Sequence, residues 1–185
     1  MGAAYSYRSL RGEARYRQRS EAHFLDYVTD TGKFTADDVH ILGAEAAWVW
    51  GSLSLQGEYM AAFADRPQDG AAFLHGFYTQ ASYFLTGEHR PYESANGVFK
   101  APKPLKPFPT KGLGTWEVAA RYSFLDLGAS GLSDKARRVQ DLTLGLNWYL
   151  NPNVRMGWNY IRSWIHGRDA SDAADVFLFR VQLAF

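Results

Sequence analysis

Cysteine is absent from this 185-residue chain, which excludes disulfides and thiolate chemistry. Long apolar runs are absent too. No stretch approaches the ~18 consecutive apolar residues of a membrane helix, so crossing a bilayer by helices is excluded. Crossing by strands is not, because its signal is alternation. Neither sign of charge is in excess: 20 Lys and Arg stand against 19 Asp and Glu, a formal net charge of +1. Global charge therefore selects no nucleic acid or acidic partner; only its placement can. The five histidines, His23, His40, His75, His89 and His166, are scattered without ligand spacing, so no metal site is expected. No glycine-rich phosphate loop leads from a strand into a helix, and no nucleophile–base pair stands out. Neither a cofactor nor a catalytic step is expected. Met1 to Arg8 lack the apolar core of a signal peptide, so such a leader was removed or the chain starts inside a longer protein.

What is present is aromatic and interleaved. Hydrophobic residues make up 46% and aromatics 16%, yet mean hydropathy is −0.31, so apolar residues must alternate with polar ones. Leu142, Leu144, Leu146, Trp148 and Leu150 alternate with Asp141, Thr143, Gly145, Asn147 and Tyr149. A period of two puts these sets on opposite faces of a strand. Val154, Met156, Trp158 and Tyr160 alternate in the same way with Arg155, Gly157 and Asn159. Upstream, Trp116, Val118, Ala120, Tyr122 and Phe124 oppose Glu117, Ala119, Arg121 and Ser123, and Leu53, Leu55, Gly57 and Tyr59 oppose Ser54, Gln56 and Glu58. Asn151-Pro152-Asn153 reads as a tight turn, since Pro cannot donate to a ladder and Asn tolerates turn geometry. Gly51-Ser52 reads as another. The pattern predicts eight strands, over 5–19, 38–50, 52–64, 71–86, 112–126, 138–150, 153–166 and 175–185, joined by longer polar connections at 20–37, 65–70, 87–111, 127–137 and 167–174.

A soluble β-sandwich or lipocalin-like barrel also alternates, with its apolar face inward. Three features favour a membrane barrel. The strands are long against the usual 5–6 residues. Trp48, Trp50, Trp116, Trp148, Tyr149, Trp158 and Trp164 cluster near segment ends, as in interfacial girdles. The second face carries small and charged residues rather than a filled core. The fold class expected is therefore all-β, a transmembrane antiparallel β-barrel in outer-membrane lipid.

The last strand sharpens this. Phe177, Phe179, Val181, Leu183 and Phe185 form a continuous apolar stripe, opposed by Leu178, Arg180, Gln182 and Ala184. A terminal Phe closing an alternating strand resembles the signal by which outer-membrane proteins are recognised by their assembly machinery.

Several stretches resemble the phosphate-selective O and P type porins. They are Gly43 to Gly51 (GAEAAWVWG), Ser54 to Tyr59 (SLQGEY), Gly76 to Glu88 (GFYTQASYFLTGE), Trp116 to Ser123 (WEVAARYS) and Leu144 to Asn153 (LGLNWYLNPN). They follow the family's order and cover most of residues 12–185. The resemblance implies a sixteen-stranded, usually trimeric barrel that passes small anions such as phosphate across the Gram-negative outer membrane. The chain resembles the C-terminal half, one domain over 1–185 that is incomplete on its N-terminal side, with Phe185 a true end and Met1 not a true beginning. The competing readings are a small non-conducting barrel with a structural or adhesive role, and an outer-membrane enzyme or soluble lipid binder.

Anion passage needs fixed positive charge facing water in a low-dielectric wall. Arg15, Arg17 and Arg19 alternate in the predicted first strand, with Arg11 in phase. Facing lipid, each would cost about 2–4 kcal/mol near the midplane, so they must line water or pair with acids. Arg121, Arg155 and Arg180 fall on the polar faces of their strands. Arginine suits phosphate because its planar fork stays charged and donates two parallel hydrogen bonds. Glu13, Glu45, Glu58, Glu117 and Asp141 also sit on polar faces, so a salt-bridge lattice competes with an anion track. The segment Val98 to Lys111 adds Lys100, Lys103, Lys106 and Lys111 among four prolines and no acid. It reads as a stiff basic collector at a pore mouth or as a solvated loop. Strand counting puts it on the periplasmic side, where turns are normally short. Asp37-Asp38 and Asp172 with Asp175 read as solvated acids in external loops.

Overall fold

The computed structural model describes residues 1–95, 97–129, 132, 138–167 and 171–184. Among these the chain is all-β. Eight long strands are joined in chain order by antiparallel pairing: β1 (Gly2–Ala14), β4 (Phe34–Trp50), β5 (Leu53–Asp65), β6 (Ala72–Phe84), β9 (Thr115–Asp126), β10 (Arg138–Asn151), β11 (Val154–His166) and β12 (Ser171–Leu183). Two-residue strands make small ladders in two connections: β2 (Arg17–Gln18) with β3 (Thr29–Asp30), and β7 (Tyr92–Glu93) with β8 (Val98–Phe99). The sheet is open, with β1 and β12 at its two edges.

The tight turns fall where the sequence puts them. Gly51 takes φ +56° with open space around it, so its dihedral, rather than crowding, calls for glycine. The Asn151 carboxamide oxygen accepts from the backbone N–H of Asn153 (2.9 Å) and of Val154 (3.0 Å), closing the second turn as Asx side chains do.

Three strand limits differ from expectation by four residues or more. The first strand ends at Ala14 rather than at residue 19. Its register with β4 slips between Ser9 and Gly12, where Arg11 takes φ +43°; such a bulge bends the strand. Arg11, Arg15, Arg17 and Arg19 therefore do not stand in phase on one strand face. Strand β4 begins four residues early, because Phe34, Thr35 and Ala36 continue the ladder against Ala14, Glu13 and Gly12. Strand β12 begins at Ser171, pairing with His166. Asp37, Asp38, Asp172 and Asp175 thus lie in strands rather than loops. Asp38 accepts the Tyr7 hydroxyl (2.7 Å). Asp175 accepts the Tyr160 hydroxyl (2.7 Å) and pairs with Arg162.

The two faces divide as the alternation requires. One exposes Leu42, Trp48, Trp50, Leu55, Tyr83, Val118, Leu144, Trp158, Phe179 and Val181, with Trp50 at 70% and Phe177 at 78%. Leaving large apolar side chains in water forfeits about 1.5–3 kcal/mol each, and a contiguous patch of this kind marks a surface made for something other than water. Near the tight turns Trp48 stacks on Trp50 (6.1 Å) and Trp116 on Trp148 (5.0 Å). Toward the other rim the same face carries Arg138 on Asp126 (2.9 Å) and Arg162 with Asp175. Apolar belt, girdle and polar border are the pattern of a membrane barrel's lipid face. Phe185, expected to end the lipid stripe, lies outside the described residues.

Candidate functional site: an arginine-bearing basin on the inner wall

The opposite face is polar. Gln80, Arg121, Thr143, Asn147, Arg155, Asn159, Arg180 and Gln182 surround a basin of about 280 Å³. They come from β6, β9, β10, β11 and β12, five successive strands of the sheet. Small residues make its floor. A Cβ at Gly145 would stand 2.9 Å from the Asn159 carboxamide oxygen, and one at Gly157 3.1 Å from that of Asn147. Both glycines let polar side chains lie flat across the wall.

The three wall arginines named from the sequence meet here. Arg155 donates to the Asn147 carboxamide oxygen (2.7 Å), and its guanidinium lies 4.9 Å from the Tyr149 ring centre. Arg180 sits among Gly157, Asn159 and Gln182. Neither has a carboxylate partner among the described residues. Arg121 differs. It stacks 3.7 Å from the Tyr78 ring centre, and its Nε–H donates to Glu21 at 2.6 Å.

Glu21 belongs to the connection between β1 and β4, which folds onto the inner wall. Tyr16 and Thr31 close its neck: the Tyr16 N–H donates to the Thr31 hydroxyl and the Thr31 N–H to the Tyr16 carbonyl, both at 2.9 Å. Arg15, Arg17 and Arg19 sit in this hairpin. Arg15 donates through Nε to Asp30 at 2.9 Å and makes a second, Nη2 bond to the same carboxylate. That pairing, first of all, holds the Asp30 carboxyl down at about 2, and Asp30 in turn raises Arg15. The Arg17 and Arg19 guanidiniums lie 4.1 and 3.9 Å from the Tyr27 ring centre, within reach of its π-electrons. An apolar knot of Val39, Ala64, Leu74, Leu127 and Leu132, with Tyr16 and Phe34 against it, anchors the hairpin's base.

The lysine segment lies at the opposite rim, between β6 and β9. Lys100 pairs with Glu93 (2.6 Å); Lys103, Lys106 and Lys111 are exposed. The segment grips the inside through Arg90, which pairs with the buried Glu117. Glu117 also accepts from Asn147 (3.2 Å) and from the Tyr149 hydroxyl (2.8 Å). It grips the outside through Trp148, whose Nε1–H donates to the Leu113 carbonyl at 2.6 Å. Glu88 is buried beneath it. Burial alone would raise its carboxyl, but the Thr86 and Thr115 hydroxyls and the Leu105 N–H outweigh that and lower it. A connection this long is accommodated at the tight-turn end because it hooks over the rim.

Four of the five acids expected to form a lattice with the arginines stand elsewhere, and the fifth, Asp141, is buried on β10. Glu117 takes Arg90 and Glu13 takes Lys33, while Glu45 and Glu58 face each other across β4 and β5. Among the described residues the named arginines' acid partners are Asp30 and Glu21. Neither was legible: Glu21 lies 100 residues from Arg121 in a stretch that reads only as a polar loop.

Residues 2–185 match the family model described as phosphate-selective porin O and P. The chain belongs to that family. This porin chain is 32% identical to Porin O of Pseudomonas aeruginosa over 160 residues, which is 80% of the chain and 36% of that protein. It is 30% identical to an uncharacterized protein of Caulobacter vibrioides over 166 residues, 86% of the chain and 33% of that protein. The porin chain thus spans about a third of the length of these relatives. Family and lipid face together make it an integral protein of the Gram-negative outer membrane.

Proposed function

We propose that the chain supplies half the wall of a passive, anion-selective outer-membrane pore for phosphate-type anions, with no catalytic step. The observation that carries this is the basin: Arg155 and Arg180 face the polar side of a sheet whose back is lipid-facing, and no carboxylate neutralises them among the described residues. Cations backed by a low-dielectric wall focus field into the lumen and offset an anion's lost hydration. Arg17 and Arg19 add charge from the folded-in hairpin, where Arg15 is held by Asp30 as Arg121 on the wall is by Glu21, and the lysine segment, with Lys100 paired to Glu93 and Lys103, Lys106 and Lys111 exposed, collects anions at the far mouth.

The barrel in this reading has sixteen strands, of which these eight are the C-terminal half, and assembles as a homotrimer delivered by the outer-membrane assembly machinery through its last strand. Support comes from the open sheet, since unpaired edges in lipid are not viable and further strands must cover β1 and β12. The test is bilayer recording on porin purified from outer membranes. Anion-selective steps are expected, and Arg155→Ala with Arg180→Ala should move the reversal potential in a salt gradient toward the cation value. Cation-selective steps, or none, would sink the proposal.

A further inference from the structure

The hairpin between β1 and β4 touches the basin through Glu21. Three strands, β4, β5 and β6, lie between β1 and β9. At ~4.8 Å per strand that is roughly 19 Å along the wall, yet Glu21 reaches both β9 and β10. One carboxylate oxygen accepts the Arg121 Nε–H at 2.6 Å; the other accepts the Thr143 hydroxyl. The Glu21 side chain is only 18% exposed. Its neighbours Ser20 and Ala22 are buried, and the Leu25 carbonyl, which accepts the Arg19 Nε–H at 2.8 Å, folds the tip back. Both carboxylate oxygens are thus held by donors of the wall, as those of a bound oxyanion would be.

We propose that Glu21 is a tethered counter-anion. It occupies the Arg121 end of the basin, seats the hairpin across the inner wall, and leaves Arg155 and Arg180 as the end open to a mobile anion. A ligand fixed to the same chain competes at high effective concentration, so free anions do not displace it. Glu21 is then a positioning residue for the hairpin and a setting for how strongly the pore holds its anion. This rests on the anion-pore reading above.

Two variants separate the roles, in the porin purified from outer membranes. Glu21→Gln keeps the shape and frees the Arg121 charge. Inorganic phosphate should then block chloride current at about five-fold lower concentration, the factor one added unit charge at ~4 Å gives in a water-like dielectric. Glu21→Ala removes the contact. Spin labels go at His23→Cys on the hairpin and Gln56→Cys on β5, in a chain with no cysteine of its own. Their distance distribution should be narrow in the parent and broad with Glu21→Ala, and narrow again when Glu21→Arg is combined with Arg121→Glu. Unchanged phosphate block in Glu21→Gln, or an unchanged distribution in Glu21→Ala, overturns the proposal. A parent pore without anion selectivity refutes the pore reading instead, and the label distances still decide whether Glu21 seats the hairpin.

Discussion

The two inward-folding segments carry comparable positive charge and hold it differently. In the hairpin at one rim every arginine is engaged: Arg15 by Asp30, Arg17 and Arg19 by the Tyr27 ring. In the segment at the other rim Lys103, Lys106 and Lys111 are exposed. The attachments invert this. The lysine segment is bolted by a buried pair, Arg90 on Glu117, whereas the arginine hairpin reaches the far wall through Glu21, whose carboxylate takes Arg121 and Thr143. The difference teaches that positioning and charge need not reside in the same residues. Arginine's flat fork can be fixed by a carboxylate or a ring, so a stiff charged hairpin needs few anchors. Lysine is a mobile point charge, so its segment takes its geometry from elsewhere.

The largest expected effect breaks the bolt. Arg90→Ala leaves the Glu117 carboxylate buried and unpaired, which costs about 3–5 kcal/mol. Urea unfolding in detergent should show it, and restoration by adding Glu117→Gln identifies the stranded charge as the cause. An Arg90→Ala porin as stable as the parent would remove the pair from any structural role.

A smaller effect separates the segments by pH. The Asp30 carboxyl titrates at about 2 in the folded hairpin against an ordinary 3.8. The unfolded segment therefore takes up the proton first, so this stabilisation is complete above about pH 4. It is lost as pH falls toward 2. Hydrogen exchange of residues 15–31, divided by its intrinsic rate at each pH, should accelerate across that window, and Asp30→Asn should abolish the acid dependence. Equal acceleration in the Asn variant would assign it to another carboxylate.

The smallest effect concerns the exposed lysines. Replacing Lys103, Lys106 and Lys111 together with Gln should lower conductance at 0.01 M salt and leave it nearly unchanged at 1 M, since the Debye length falls from about 30 to 3 Å. The same loss at both concentrations would mean that these lysines touch the permeating ion rather than steer it.

The architecture was legible because it rests on a local rule. A two-residue period assigns each side chain to lipid or lumen, so Leu142 to Leu150 and Val154 to Tyr160 sort correctly, and Arg121, Arg155 and Arg180 could be put on one wall. Alternation fails where the chain keeps its pattern but leaves the sheet. Arg15, Arg17 and Arg19 alternate as strand residues do, yet a bulge at Arg11 bends the strand, the ladder ends at Ala14, and they fall in a hairpin beyond it.

The sequence by itself determined the fold class, both faces, the tight turns at Gly51 and Asn151 to Asn153, and that Arg121, Arg155 and Arg180 share the polar face. Only the tertiary structure decided the partners. Glu21 and Arg121, or Arg90 and Glu117, stand far apart in the chain, and a long-range contact leaves no periodicity for the sequence to display. The curvature that brings a loop carboxylate across three intervening strands belongs to the whole sheet and to no segment of it.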